Sequence, residues 1–422
     1  MALKTVVRKE YKSHWERRTP LTPSAIKKLA ASGIPICAEK SEYRVYSDQQ
    51  MENSGAKMVD AAPDAKLVLG IKEPLLREIL PGQVHLAFSH TIKGQSYNMD
   101  LLQAFMDRGC CLIDYEAMKN PDQSRIIAFG RYAGIAGAAD TFWAAGRKLA
   151  LKGQANPLTA LLQTHEYGNV ADLKAACSQL GPLQDRKLGV VINGTGNVGQ
   201  GCEDVCRWLG MARVEPQDVL AGNTPDVYWY CMLKTADVHL HKQGKPYDSA
   251  EFRKYGSQRY DSCFDRYLGK FDILLQSSYW EGMYPKHLSR ERMLAHRKQL
   301  PMLVGDVSCD IDGSLACTTK ASTIAEPEFT YLLDSGESVV GLSWDGVSVM
   351  SVDNLPCELS MDASDHFSSI LVDMVPQLVN MDLASPLEAC GMSKMLQDAT
   401  IVYNGKLTEK YAYLAAFGTI SN

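Results

Sequence analysis

Six residues, Gly194-Thr195-Gly196-Asn197-Val198-Gly199, constrain this chain more than any other segment. An apolar run, residues 188–193, leads straight into them, and residues 198–209 then read as a helix. Glycine is common enough that the pattern alone is weak evidence. Between a strand and a helix it becomes the phosphate-binding turn of a βαβ unit. Each glycine answers a different physical demand. Gly194 permits the tight turn, Gly196 lets backbone N–H groups approach a pyrophosphate, and Gly199 allows the helix to pack closely on the strand. The helix N-terminus faces the phosphate charge. Residues 194 to 199 are therefore expected to hold a nicotinamide dinucleotide.

Which dinucleotide is left open by these residues. An acidic residue about 20 positions on normally binds the adenine ribose 2′-hydroxyl. Glu215 lies at that distance and favours NAD, whereas Lys234, His239 and Lys242 beyond it would suit the 2′-phosphate of NADP.

The chain has 422 residues, of which 45% are hydrophobic and 22% charged, enough for two or three globular domains. A net charge of −5 gives no bulk electrostatic case for nucleic acid or an anionic membrane. Lys4, Arg8 and Lys9 break up the N-terminal segment, so no signal-peptide core is present and a cytoplasmic protein is expected. The most apolar long stretch, residues 132–151, contains Asp140 and Arg147 and reads as a buried helix, not a membrane span. Twelve cysteines include no pair at zinc spacing; reduced thiols are expected, and no metal site.

Short apolar runs at 5–7, 67–71, 84–88 and 111–113 alternate with helical patterns in the first third. One such helix starts at Thr22-Pro23, an N-cap and first-turn proline, and stops at Gly33. After the glycine turn, strands are expected at 212–215, 272–276 and 302–305, and a helix over 363–379. Residues 217–266, rich in Tyr, Lys and Asp, are treated as an insertion. This alternation predicts an α/β fold of two Rossmann-like parallel-sheet domains with an active-site cleft between them. The expected division is 1–137 with 360–422 as a substrate and catalytic domain, and 138–359 as the dinucleotide-binding domain.

Five N-terminal segments carry polar residues where buried strand ends would not need them. They are Trp15-Glu16-Arg17-Arg18-Thr19-Pro20-Leu21-Thr22-Pro23, Gly70-Ile71-Lys72-Glu73, Phe88-Ser89-His90-Thr91-Ile92-Lys93-Gly94-Gln95, Ile113-Asp114-Tyr115-Glu116, and Arg125-Ile126-Ile127-Ala128-Phe129-Gly130. Any one of them is unremarkable; together, upstream of a dinucleotide turn, they look like a site. With the run 130–137 they resemble the lysine-forming saccharopine dehydrogenases, within the wider alanine dehydrogenase and transhydrogenase group. The likeness is greatest to the lysine–2-oxoglutarate reductase half of the bifunctional lysine-degrading enzyme. Tyr279-Trp280-Glu281, Gly305-Asp306-Val307-Ser308-Cys309-Asp310 and Val352-Asp353-Asn354-Leu355-Pro356 extend it over nearly the whole chain, residues 217–266 excepted.

The resemblance implies reduction of the imine formed between the ε-amine of L-lysine and the ketone of 2-oxoglutarate, giving saccharopine. NADP is the implied cofactor by analogy with the degradative branch, NAD the alternative. By the same likeness Lys72 and His90 are the acid–base residues. Arg18 binds a substrate carboxylate, with Arg125 and Lys93 adding charge, and Glu73 and Glu116 tune pKa values or hold an ammonium. Asp306, Asp310, Asn354 and Leu355 join the glycine turn on the cofactor. The chemistry is consistent, because a lysine near other cations or in a dry pocket loses its proton more easily and histidine titrates near neutrality. No second glycine fingerprint is present for a saccharopine-cleaving half, so that step is expected of a separate protein. The same motifs fit a related opine or amino-acid dehydrogenase with another amine or oxo acid. A non-catalytic dinucleotide sensor is the alternative outside enzymes, against which Lys72 and His90 weigh. A homo-oligomer is compatible with the sequence.

Overall fold

The computed structural model describes residues 2–181, 183 and 186–417. The last residues of the expected first domain, 418–422, therefore lie outside the described residues. Two compact units emerge, Met1–Ala128 with Ser360–Asn422, and Phe129–Leu359.

The first unit begins with β1 (Thr5–Val7), β2 (Ile36–Glu39), β3 (Lys57–Val59), β4 (Leu67–Leu69), β5 (Val84–Ala87) and β6 (Cys111–Asp114). These six strands are parallel, in the spatial order β3-β2-β1-β4-β5-β6. The order reverses between β1 and β4, the place where open α/β sheets carry their ligand crevice. Helix Pro23–Ala31 starts where Thr22-Pro23 predicts. The Thr22 hydroxyl, however, meets Ser368 Oγ at 3.3 Å instead of capping the helix.

The second unit contains β7 (Leu188–Asn193), β8 (Ala212–Arg213), β9 (Tyr228–Leu233), the hairpin β10 (His239–His241) and β11 (Tyr260–Ser262), β12 (Ile273–Gln276), β13 (Leu303–Asp306), β14 (Glu328–Tyr331), β15 (Ser338–Val340) and β16 (Val347–Met350). Its sheet runs β8-β9-β7-β12-β13-β16-β14-β15 and reverses between β7 and β12. From β8 to β16 neighbours are parallel, with an antiparallel edge formed by β14 and β15. The central strands β7, β12 and β13 are buried throughout, as in a sheet covered on both faces. In the C-terminal tail, β17 (Thr400–Tyr403) and β18 (Lys406–Leu407) add to β6 of the first sheet, antiparallel.

Helix Gly130–Ala150 is continuous and belongs to the second unit, so that unit starts at Phe129, nine positions before the boundary expected at 138. Its glycines explain the attachment. A Cβ on Gly134 would lie 1.9 Å from the Val198 carbonyl oxygen, and one on Gly201 would lie 2.1 Å from that of Arg131. Two helix backbones touch here, and the contact fixes the helix that follows the glycine turn.

Two expectations need correction. The region treated as an insertion contains β9, the strand paired with β7 itself. Its six residues, Tyr-Trp-Tyr-Cys-Met-Leu, are a continuous apolar and aromatic run of the kind a buried strand requires. The helix expected over 363–379 is two, Ser360–Leu371 and Val375–Val379, because Pro376 lacks the N–H needed to continue the first.

Candidate active site

The chain leaves β1 with Arg8 and Glu10 two residues apart, hence on one side of the extended backbone. Both turn to the end of β4. Glu10 accepts hydrogen bonds from the backbone N–H of Ile71 at 2.7 Å and of Lys72 at 3.0 Å. Arg8 donates to the Lys72 carbonyl and lies 3.3 Å from Glu10. Gly70 is required here, since a Cβ would sit 2.4 Å from the Arg8 guanidinium. The backbone of Lys72 is thus clamped through both its N–H and its C=O. Burial holds the Lys72 ammonium below its ordinary pKa, and the charge of Arg18 adds to the effect while Glu16 opposes it.

Arg18 and Glu16 form a buried two-point pair, Nε to Oε1 at 2.7 Å and Nη2 to Oε2 at 2.5 Å. The segment that carries them is tied down by Ser364 and Ser368, which accept from the backbone N–H groups of Thr19 and Thr22.

His90 follows β5 with φ of +52°, a left-handed conformation uncommon outside glycine. Asn98 holds its carbonyl at 3.3 Å. The ring Nδ1 lies 2.6 Å from Glu73 Oε1, which joins the polar residues after β4 and β5. Burial raises the Glu73 pKa, but the bond to His90 outweighs it together with backbone and neighbouring charge, and the carboxylate falls to about 2. Asp114 at the end of β6 organises both flanking loops. It accepts from Ser89 N at 3.0 Å and from Glu116 N at 2.6 Å, and burial pushes it up to about 6. Glu116 pairs with the half-exposed Arg125. Lys93 stays exposed on the loop after His90.

The second unit presents a cavity of about 720 Å³ at the end of β7. Residues 193–198 form its floor, with Ser277 and Ser278 after β12 and Lys234 after β9. The three glycines divide as expected. A Cβ on Gly194 would meet Ser277 Oγ at 2.7 Å and one on Gly199 the Gly194 oxygen at 2.1 Å, whereas one on Gly196 meets nothing within 4 Å. That free space beside the N-terminus of helix Asn197–Trp208 is where a phosphate needs to approach, so the residues present fit a dinucleotide.

Not every expected cofactor residue reaches this cavity. Glu215 does not line it, because β8, which precedes Glu215, is the sheet's edge, and the strand beside β7 is β9, ending next to Lys234. Lys242 bonds the Ser257 carbonyl at 2.7 Å and is also outside, while His239 does line it. Asp306, Asp310, Asn354 and Leu355 do not. The Asp306 carboxylate is used by its own loop, accepting from Ser308 at 2.6 Å, Cys309 at 3.1 Å and Thr318 at 2.6 Å. Leu355 packs where a Cβ on Gly137 would meet it at 3.0 Å.

Arg8, Glu10, Glu16 and Asp114 were missed as site residues, although the two-residue spacing of Arg8 and Glu10 at a strand end was a usable signal.

Residues 6–136 match the model of the alanine dehydrogenase/PNT N-terminal domain. Over that stretch the chain is similar to the alanine dehydrogenase/PNT group. It is 33% identical to alpha-aminoadipic semialdehyde synthase of Arabidopsis thaliana over 95% of its own length, though it spans only 40% of that relative. With saccharopine dehydrogenase [NAD(+), L-lysine-forming] of Yarrowia lipolytica it shares 26% identity over 87% of this chain and 90% of the other. A solved L-alanine dehydrogenase has the same fold, with a TM-score of 0.63 at 18% identity, covering 98% of each chain. The proteins named above that this chain resembles include dehydrogenases of amino-acid substrates. Among the described residues no helix is long and apolar enough to cross a membrane.

Proposed function

We propose that this protein is a lysine–2-oxoglutarate reductase that forms saccharopine and uses NADP in preference to NAD. The observation that carries the reading is Lys72, half-buried, clamped through its backbone and depressed in pKa, in the same unit as the paired His90 and Glu73.

Condensation of an amine with a ketone needs three proton movements. The attacking amine must be neutral, the carbinolamine oxygen must be protonated to leave as water, and the amine nitrogen must lose a proton. Lys72, held below its ordinary pKa, gives up its proton more readily than a free lysine and can take one back. His90, oriented at Nδ1 by Glu73, leaves Nε2 for the second transfer. Glu73 and Glu116 balance the local cations. Arg18, fixed by Glu16, and Arg125, which can exchange Glu116 for an incoming anion, suit the carboxylates of a dicarboxylic oxo acid, with Lys93 adding charge. The nicotinamide, when bound, supplies the hydride that reduces the imine carbon.

Support for NADP comes from the strand order. The position that carries the ribose-binding acid in NAD sites is the end of the strand beside the glycine strand. Here that end leads to Lys234, and Glu215 is displaced to the edge strand.

The test is a grid of oxo acids against amino acids, each with NADPH and NADH, followed by cofactor absorbance. The reading expects oxidation that needs 2-oxoglutarate and lysine together. Faster turnover with pyruvate, or with another amine, would replace it with a different opine dehydrogenase.

A further inference from the structure

Between β9 and β12 the chain makes an excursion that the sheet does not need, the hairpin β10–β11 with helix Ser249–Tyr255 between its strands. Aromatic packing holds this excursion firmly. Phe252 stacks on Tyr284 with ring centroids 4.8 Å apart and planes at 9°, and lies 4.5 Å from the His239 ring. Tyr260 bonds Glu251 at 2.9 Å and closes the base of the helix. One face of the excursion becomes a wall of the dinucleotide cavity, contributing His239, Tyr247, Ser249, Phe252 and Arg253.

The charge on that wall is one-sided. No carboxylate lines the cavity among the described residues, and its exposed cations are Lys234 and Arg253. Neither has an ion pair among the described residues, whereas nearby Arg259 is neutralised by Glu251. The two histidines in the lining, His239 and His287, are buried and their pKa values are lowered by that burial, so they add no charge at neutral pH. Among the described residues the cavity lining therefore offers two positive side chains without an ion pair and no carboxylate of the kind a ribose 2′-hydroxyl prefers.

We infer that the excursion is the wall that recognises a 2′-phosphorylated adenosine, with Lys234 from the sheet and Arg253 from the inserted helix closing on the 2′-phosphate. The inference rests on the NADP reading above and assigns a role to residues that no Rossmann sheet requires. Arg253 supplies a planar fork suited to two phosphate oxygens, and Lys234 a point charge.

Direct binding tests it without turnover. Calorimetry on the full chain should show 2′,5′-ADP binding more tightly than 5′-ADP, and NADPH more tightly than NADH. Arg253→Ala should weaken 2′,5′-ADP and NADPH roughly tenfold to a hundredfold, with 5′-ADP and NADH little changed. Lys234→Ala should do the same, and Arg253→Lys should recover part of the loss. If the wild type discriminates but Arg253→Ala discriminates equally, the inserted wall is not the reader and the NADP reading survives. If the wild type binds 5′-ADP as well as 2′,5′-ADP, both fall together.

Discussion

The two units place their polar groups at the same point of the same kind of sheet and prepare them in opposite ways. In the first, nearly every charge at the ends of β1, β4, β5 and β6 already has a partner. Arg8 and Glu10 hold Lys72, Glu16 holds Arg18, Glu73 holds His90 and Glu116 holds Arg125. In the second, the ends of β7 and β9 offer open space at Gly196 and the cation Lys234, and helix Ser249–Tyr255 adds Arg253; among the described residues neither cation has an ion pair and no acid lines the cavity. Groups that shuttle protons need their pKa values set before substrate arrives, which only fixed neighbours can do. A wall that grips a polyanion needs charge left unanswered until the anion comes.

That contrast can be broken at several points. The largest expected effect is on turnover. Lys72→Met should lower kcat by about 10²- to 10⁴-fold, the range for losing a general acid–base group, with NADPH affinity unchanged by calorimetry. An equal loss of cofactor affinity would show that the two regions are not separable in this way. Next come the glycines. Gly199→Ala should lower both cofactor affinity and the thermal midpoint, because its Cβ would lie 2.1 Å from the Gly194 oxygen and overpacking costs about 1–3 kcal/mol. Gly196→Ala, with nothing within 4 Å of the new carbon, should lower affinity alone. A midpoint drop for Gly196→Ala matching that of Gly199→Ala would remove the evidence that this space is meant for a ligand.

Glu73 gives a smaller effect with a definite sign. Its folded pKa lies near 2, below the ordinary 4.5, so its contribution to stability is full above 4.5 and lost as pH falls toward 2. Glu73→Gln should therefore be less stable than the wild type at neutral pH, with the gap closing on acidification. A gap that stays constant across that window would mean the pairing with His90 is not ionic.

The smallest effect concerns a buried acid pair in the second unit. Burial raises Glu358 well above its ordinary range, and burial lifts Asp140, its hydrogen-bonding neighbour, to about 6. One retained proton satisfies both. The raised values mean the pair favours folding at low pH and loses that contribution as pH rises through about 6. Glu358→Gln should keep the bond without the titration and flatten the fall in thermal midpoint on the alkaline side. An unchanged slope would count against a shared proton.

Much of this was legible in the sequence where one residue type can satisfy a geometric demand. The glycine turn is such a case, and β7 and helix Pro23–Ala31 start where strand and cap signals place them. What stayed hidden depends on strand order, which residue spacing does not encode. Glu215 is the right distance along the chain from Gly194, yet β9 and not β8 pairs with β7, so the residue that follows the strand beside the glycine strand is Lys234. Arg8 and Glu10 were invisible as site residues for the same reason: they act on Lys72, 64 and 62 positions away, only because β1 and β4 are neighbours. The aromatic anchor Phe252 and the exposed Arg253 stand side by side in a segment with no simple periodicity.

The most direct measurement is NADPH oxidation by the wild-type protein with lysine alone, 2-oxoglutarate alone, and both. Oxidation that requires both substrates and disappears in Lys72→Met is the predicted result. No oxidation with both present, on folded protein shown to bind NADPH, would contradict the assignment.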